Sequence, residues 1–346
     1  MQHILTQNYA HTAKRQVNFC ETTPGVTTYK GYITVPSGAY SAKLFFWFFS
    51  ARTDASSAPL TVWLQGGPGA ATMPQVVSGH NGPCIVQDDS TTTVINQWSW
   101  NKASNMLYID QPVQTGFSYD EVVEQVLNMV DGSFLPATEP TSMTRRPGKF
   151  SSGNPAQTVS TTETAARAVG RFLELWFDEH PQYEREKINV WSQSYGGHYA
   201  PALAHLLHPD TPNKPEGVPS IGINSVGILN GIIDLVEQAR AYPDFAVNNT
   251  YDIQTITPAQ AATAVSNLES PGGCYDLADA CRAAQAQFDP ANEGDNPAVF
   301  GPCFEAFNAC WGNVYAVYEA FSGVSLPLPS EDERMCMGVL ADRCCE

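Results

Sequence analysis

One serine, set between small residues where an apolar strand gives way to a helix, constrains this chain more than any other feature. Ile188 to Trp191 is an apolar run with the length of a buried strand, and Tyr199-Ala200-Pro201-Ala202-Leu203-Ala204 reads as the opening of a helix. Between them stands Ser192-Gln193-Ser194-Tyr195-Gly196-Gly197. With Ser192 two residues before Ser194 and Gly196 two after, the backbone has room to turn sharply and hold the central hydroxyl clear of the sheet. Ser192 replaces the glycine usual in such an elbow, but it is still small. A plain loop between strand and helix is the alternative, and two further stretches bear on the choice.

The first is Leu60 to Leu64, a short buried strand that ends in Gln65-Gly66-Gly67-Pro68-Gly69. Glycines and a proline in that order permit backbone conformations that turn N–H groups outward. The second is Asn105 to Asp110, another apolar strand, closed by Gln111-Pro112. Ahead of both, Tyr29 to Val35 and Lys43 to Ser50 read as an antiparallel pair joined at Pro36-Ser37-Gly38. Glu121 to Gly153 is rich in Pro, Gly, Ser and Thr and reads as a long surface excursion. Thr158 to Glu179 is an amphipathic helix with Ala165, Val169, Phe172 and Trp176 on one stripe. Ser225 to Leu229 is a further strand, before Asn230-Gly231. Alternating strands and helices up to residue 232 predict an α/β fold, a mostly parallel central sheet flanked by helices. Beyond Pro243 the pattern turns helical, with Thr257-Pro258 as a capped helix start. The expected division is a core over 20–240, a lid-like helical insertion over 241–325 and a tail over 326–346.

The formal charge of −17 argues against nucleic acid and anionic membrane surfaces as partners. No apolar run is long enough to span a bilayer, and residues 1–20 hold no apolar signal core. Nine cysteines are present, and Cys274, Cys281, Cys303 and Cys310 stand in two pairs, each seven residues apart. That spacing puts both sulfurs of a pair on one helix face. Two such helices packed antiparallel would bring Cys274 to Cys310 and Cys281 to Cys303. Four metal-binding thiolates and four unpaired core cysteines are the alternatives, although the short spacing of zinc knuckles is lacking. Cys20 and Cys84 are a candidate third bridge. Disulfides imply an oxidising compartment, and Asn248-Asn249-Thr250 is a glycosylation sequon at Asn248. A secreted, extracellular protein is expected, with the vacuole as the alternative. No metal or organic cofactor is implied.

Three stretches together resemble the serine carboxypeptidases of the α/β-hydrolase fold, most closely the secreted fungal branch. They are Val62-Trp63-Leu64-Gln65-Gly66-Gly67-Pro68-Gly69, then Asn105 to Val113 with Gly116-Phe117-Ser118-Tyr119, and Ser194-Tyr195-Gly196-Gly197-His198-Tyr199. Further similarity runs from Cys20 to about Trp311, and the clustered cysteines match that family's disulfide-bridged helical insertion. The resemblance implies a serine-type carboxypeptidase acting on peptides or proteins, with Ser194 as nucleophile forming an acyl-enzyme. It assigns the backbone N–H groups of Gly67 and Tyr195 to the oxyanion. It places recognition of the substrate's terminal carboxylate at Gln65, the N–H of Gly66, and Gln193.

Two departures accompany the resemblance. The family carries Asn and Glu where this chain has Gln65 and Gln193, and a second acid where it has His80. An acid pair is therefore missing, and altered or weakened exopeptidase specificity is expected. The family also places the Asp and His of its triad far downstream, whereas the seven histidines here are His3, His11, His80, His180, His198, His205 and His208. Asp234 follows Asn230-Gly231 as a strand-end acid, with no histidine after it. No complete triad can be written, so the sequence reads as a member truncated before the last strands, and inactivity of the chain as it stands is one expectation. An acyltransferase or esterase on the same scaffold, and a non-catalytic binding relative, are the other two readings.

Overall fold

The computed structural model describes residues 14–16, 19–37, 40–294 and 296–317. The tail 326–346, with Cys336, Cys344 and Cys345, lies outside them. The described residues fall into two compact units, the first within 1–159 and 165–231, the second within 160–164 and 232–346.

Among the described residues, the first unit holds twelve strands and three α-helices. The strands are β1 (Lys14–Gln16), β2 (Thr28–Ser37), β3 (Tyr40–Phe49), β4 (Leu60–Leu64), β5 (Cys84–Val86), β6 (Thr93–Ile95), β7 (Asn105–Ile109), β8 (Val122–Asn128), β9 (Phe134–Pro136), β10 (Arg145–Ser151), β11 (Lys187–Gln193) and β12 (Gly222–Leu229). The helices are α1 (Met73–Val77), α2 (Thr162–Glu179, of which 162–164 fall in the second unit) and α3 (Gly196–Leu207). Seven strands form the main sheet in the order β1-β2-β3-β7-β4-β11-β12. The last four of that order run parallel, and β1 to β3 are antiparallel to their neighbours.

Burial on both faces explains the unbroken apolar runs of β4 and β7, in which every residue is buried. Register puts Phe46 and Phe48 beside Ile109 and Leu107, these beside Leu64 and Val62, and Val62 beside Val190. On that face Phe46 and Phe48 pack against Phe172 and Trp176 of α2. The opposite face carries Trp47, Phe49, Trp63, Met106 and Tyr108, gathered with Met73 and Val76 of α1 and with the Cys20–Cys84 disulfide. Trp100 bridges Trp63 and Trp191 edge-on, with centroids 5.4 and 4.8 Å away. Trp191 lies over Gly227, its partner on β12, where a Cβ would enter the ring at 2.1 Å.

Two elements differ from the sequence expectation. The surface excursion over 121–153 carries regular structure that was not expected of it: β8, β9 and β10 form an antiparallel sheet of their own. Its turn is Asp131-Gly132, with Gly132 at φ +77°, and Phe134 packs on Phe150 at 4.9 Å. Asp120 anchors the base by accepting from Ser151 Oγ (2.5 Å), Ser152 N–H (3.0 Å) and the Ser152 hydroxyl. Burial alone would raise this carboxyl, but the two hydroxyls bring it down to about 2. Helix α2 starts at Thr162 rather than Thr158, because the Thr161 hydroxyl accepts from the Thr164 N–H at 3.1 Å and caps it there.

The second unit is helical: α4 (Leu235–Ala239), α5 (Ala241–Val247), α6 (Pro258–Glu269), α7 (Cys274–Phe288) and α8 (Pro297–Cys310), followed by a π turn over Trp311–Tyr315. Helix α6 opens on a capping box in which Thr257 and Gln260 satisfy each other's backbone N–H groups. Disulfides Cys274–Cys310 and Cys281–Cys303 join α7 to α8 end to end, which requires the two helices to run antiparallel. Around the bridges pack Leu235, Ala239 and Leu268 at one level, and Val236, Ala278 and Val299 at the next. Asp234 caps α4, accepting from the N–H groups of Val236 and Glu237 at 2.9 and 3.0 Å. Asn248 is exposed just after α5.

Candidate active site

Ser194 stands between the end of β11 and the start of α3, with φ +59°. A positive φ is costly for any residue with a Cβ, so the surroundings must hold it there. Three bonds do so. Ser194 N–H donates to Leu229 O on β12 (3.0 Å), while the N–H groups of Gly197 and His198 donate to Ser194 O (2.9 Å) and Tyr195 O (3.0 Å). The flanks must be small: a Cβ on Gly196 would meet Ser192 Cβ at 2.4 Å. Ser192 is fully buried and donates its hydroxyl to Gly196 O at 2.7 Å, so the departure from glycine at this flank adds a clasp across the turn. The first turn of α3 follows at once, and the positive end of its dipole lies beside the serine.

The loop after β4 is the second wall. Gly66 lies so close to the elbow that a Cβ there would be 2.5 Å from Gln193 O, 2.6 Å from Tyr195 N and 2.8 Å from Ser194 Cβ. Gly67 follows at φ +109°, a conformation open to glycine, and Ala70 N–H closes the turn onto Gly66 O at 3.1 Å. Among the described residues, the Gly67 N–H donates to no protein acceptor.

Asp110 holds this loop to the one after β7. It is fully buried, and its Oδ1 accepts from the N–H groups of Thr72 (2.6 Å) and Met73 (3.2 Å), its Oδ2 from that of Phe117 (2.9 Å). Burial pushes its carboxyl up, with the three backbone donors acting in the opposite sense. Gly116, at φ +57°, leaves room for that carboxylate, since a Cβ would meet Oδ2 at 2.4 Å. Sequence reasoning placed Asp110 only as the end of a strand. An aspartate after an apolar run, followed by Gln111-Pro112 and a turn with Gly116, was the available signal.

The polar residues singled out from the sequence fall into two groups. Gln193, at the end of β11, accepts through Oε1 a long bond (3.4 Å) from Gln75 Nε2, and Gln75 Oε1 lies 3.0 Å from His80 Nδ1. Gln75, on α1, was not picked out from the sequence. Gln65 Oε1 is buried with no hydrogen-bond partner among the described residues. The histidines form the other group. His198 stacks on Tyr195 at 4.5 Å, and His205 and the C-cap residue His208 lie at the far end of α3, about 14 and about 18 Å along its axis from Gly196. His180 is buried against Tyr29 and Trp176, and burial pushes its imidazole below the ordinary value. No hydrogen bond among the described residues joins Ser194 to a histidine. The described residues also hold no cluster of His, Cys, Asp and Glu arranged for a metal.

A strained serine on a strand-to-helix turn, above a sheet whose central strands are parallel, defines the α/β-hydrolase fold. Kex1(delta)p, a prohormone-processing carboxypeptidase from Saccharomyces cerevisiae, shares that fold with a TM-score of 0.51 at 24% identity, over 82% of this chain and 53% of that one. The family described as serine carboxypeptidase matches residues 19–320. Carboxypeptidase S1 homolog A of Arthroderma otae is 36% identical over 328 residues, 88% of this chain and 50% of that protein. Carboxypeptidase S1 of Penicillium janthinellum is 34% identical over 235 residues, 67% of this chain and 46% of that protein. The chain belongs to the serine carboxypeptidase family. It spans about half the length of the curated relatives it matches.

Proposed function

We propose that this protein is a serine-type carboxypeptidase that removes C-terminal residues from peptides and proteins through an acyl-enzyme on Ser194. The observation that carries the reading is the approach of Gly66 to the elbow, with Ser194 held at φ +59°. In this mechanism Ser194 Oγ attacks the scissile carbonyl, and the N–H groups of Gly67 and Tyr195 receive the developing oxyanion. The bond to the terminal residue then breaks, its nitrogen leaving as an amine with the proton given up by the Ser194 hydroxyl, and an ester to Ser194 remains for water to cleave. Gln193, Gln65 and the Gly66 N–H hold the terminal carboxylate of the substrate. Residues 20–240 form the catalytic core of this reading and 241–325 its lid-like helical insertion.

Three disulfides and an exposed sequon at Asn248 support an extracellular or vacuolar site of action, since such bonds persist in oxidising compartments. No described helix is long and apolar enough to cross a membrane. The test is release of the last residue from a blocked dipeptide offered as free acid and as C-terminal amide. Faster release from the acid by tenfold or more, about one charge-assisted hydrogen bond, is expected. Cleavage of both at the same rate would refute carboxylate recognition at this site.

A further inference from the structure

We infer that Gln75 sets which way the Gln193 amide faces, and thereby makes this site select a carboxylate over an uncharged chain end. The inference rests on the reading of Gln193 as a carboxylate-binding residue. The two ends of a primary amide have nearly the same shape but opposite hydrogen-bonding character, so only their partners fix the orientation. Gln75 Nε2 donates to Gln193 Oε1, which engages the acceptor end of Gln193. Its donor end, Nε2, has no acceptor among the described residues. A carboxylate requires that donor.

The order of the chain starts at His80. With a proton on Nδ1, the ring donates to Gln75 Oε1 across 3.0 Å, which points Gln75 Nε2 at Gln193. Were Nδ1 bare, it would accept a hydrogen bond from Gln75 Nε2, and Gln75 Oε1 would turn to Gln193. Gln193 would then swing its Nε2 inward and present Oε1 to the ligand, which repels a carboxylate and accepts from an amide. The three residues come from α1, the loop after it and the end of β11, and their alignment is a product of the fold. Gln75 is a positioning residue in this scheme, acting through Gln193 without touching the ligand.

The test is calorimetric binding of N-acetyl-Phe-Leu, as free acid and as C-terminal amide, to the full chain carrying Ser194→Ala so that nothing is turned over. The protein with Gln75 intact should bind the acid about tenfold tighter than the amide. Gln75→Leu should bring that ratio close to one with the amide's affinity unchanged, which also reports an intact pocket. In a Gln193→Leu background, Gln75→Leu should have no further effect on the ratio. Gln75→Glu supplies a second arm: its carboxylate accepts from both His80 and Gln193 Nε2, so the amide should gain affinity and the ratio fall below one. Retention of the ratio in Gln75→Leu, or an equal change with and without Gln193, would overturn the inference and leave the carboxypeptidase reading standing. Equal binding of acid and amide by the protein with Gln75 intact would overturn both.

Discussion

Replacing Gly66 by alanine should slow reaction at Ser194 by at least about a hundredfold, because the elbow and the loop beside it cannot both keep their places. The added Cβ would lie 2.5 Å from Gln193 O and 2.6 Å from Tyr195 N, both backbone atoms that no rotamer change can move. Carbon atoms settle near 3.5 Å from such neighbours, so the loop must retreat by roughly 1 Å. That retreat carries Gly67 with it, and the oxyanion donors proposed at Gly67 and Tyr195 lose their common focus. A displacement of this size costs about two orders of magnitude in rate. Gly301→Ala is the control: nothing lies within 4 Å of its Cβ, it sits on the exposed side of α8, and helix propensity favours alanine there. The check is the second-order rate of serine acylation in both variants. The hundredfold loss should fall on Gly66→Ala alone.

Arg52→Met should destabilise the first unit by about 3–5 kcal/mol, the usual cost of leaving a buried charge without its partner. The side chain of Glu21 is fully buried, and Arg52 Nε donates to its Oε2 at 2.8 Å. Asn101 Nδ2 (2.7 Å) and the Thr23 N–H (2.9 Å) complete the shell. Arg52 also donates to Asn96 O and Pro83 O at 2.8 and 3.2 Å, next to the Cys20–Cys84 bridge. Burial would raise the Glu21 carboxyl, yet the bonds from Thr23, Asn101 and Arg52 outweigh it and hold the group below its ordinary 4.5. The unfolded chain therefore takes up this proton first as pH falls. The stabilisation is whole above 4.5 and is lost as pH drops through the lower folded value. Urea unfolding across that window should show the acid-limb slope shrink in Arg52→Met, and Glu21→Gln in the same background should recover part of the loss.

The parts of this fold that the sequence displays are those where one local pattern has one structural outcome. Leu60–Leu64 and Asn105–Ile109 are buried on both faces, so their apolar runs mark parallel strands without ambiguity. The turn at Ser194 shows because sterics alone exclude large flanks. The sheet formed by β8, β9 and β10 was hidden by its composition. Every residue of its strands but Val126 is exposed or only half-buried, so apolar alternation is weak and Pro, Gly and Thr dominate the impression. The contact of Gln75 with Gln193 joins residues 118 apart in the chain, and Asp110 meets Thr72 across 38. No window of sequence holds such pairs. They exist once the parallel strands have placed the loops of β4, β7 and β11 at one edge.

The central claim is that Ser194 is a nucleophile held ready by its backbone, and fluorophosphonate labelling of the protein purified from its source tests it most directly. Attack by Ser194 Oγ on phosphorus expels fluoride and leaves one stable adduct, seen by intact mass and placed by peptide mapping. The account predicts a single adduct, on Ser194, absent from Ser194→Ala. An adduct mapped to any other serine, or no adduct on folded protein, would contradict it.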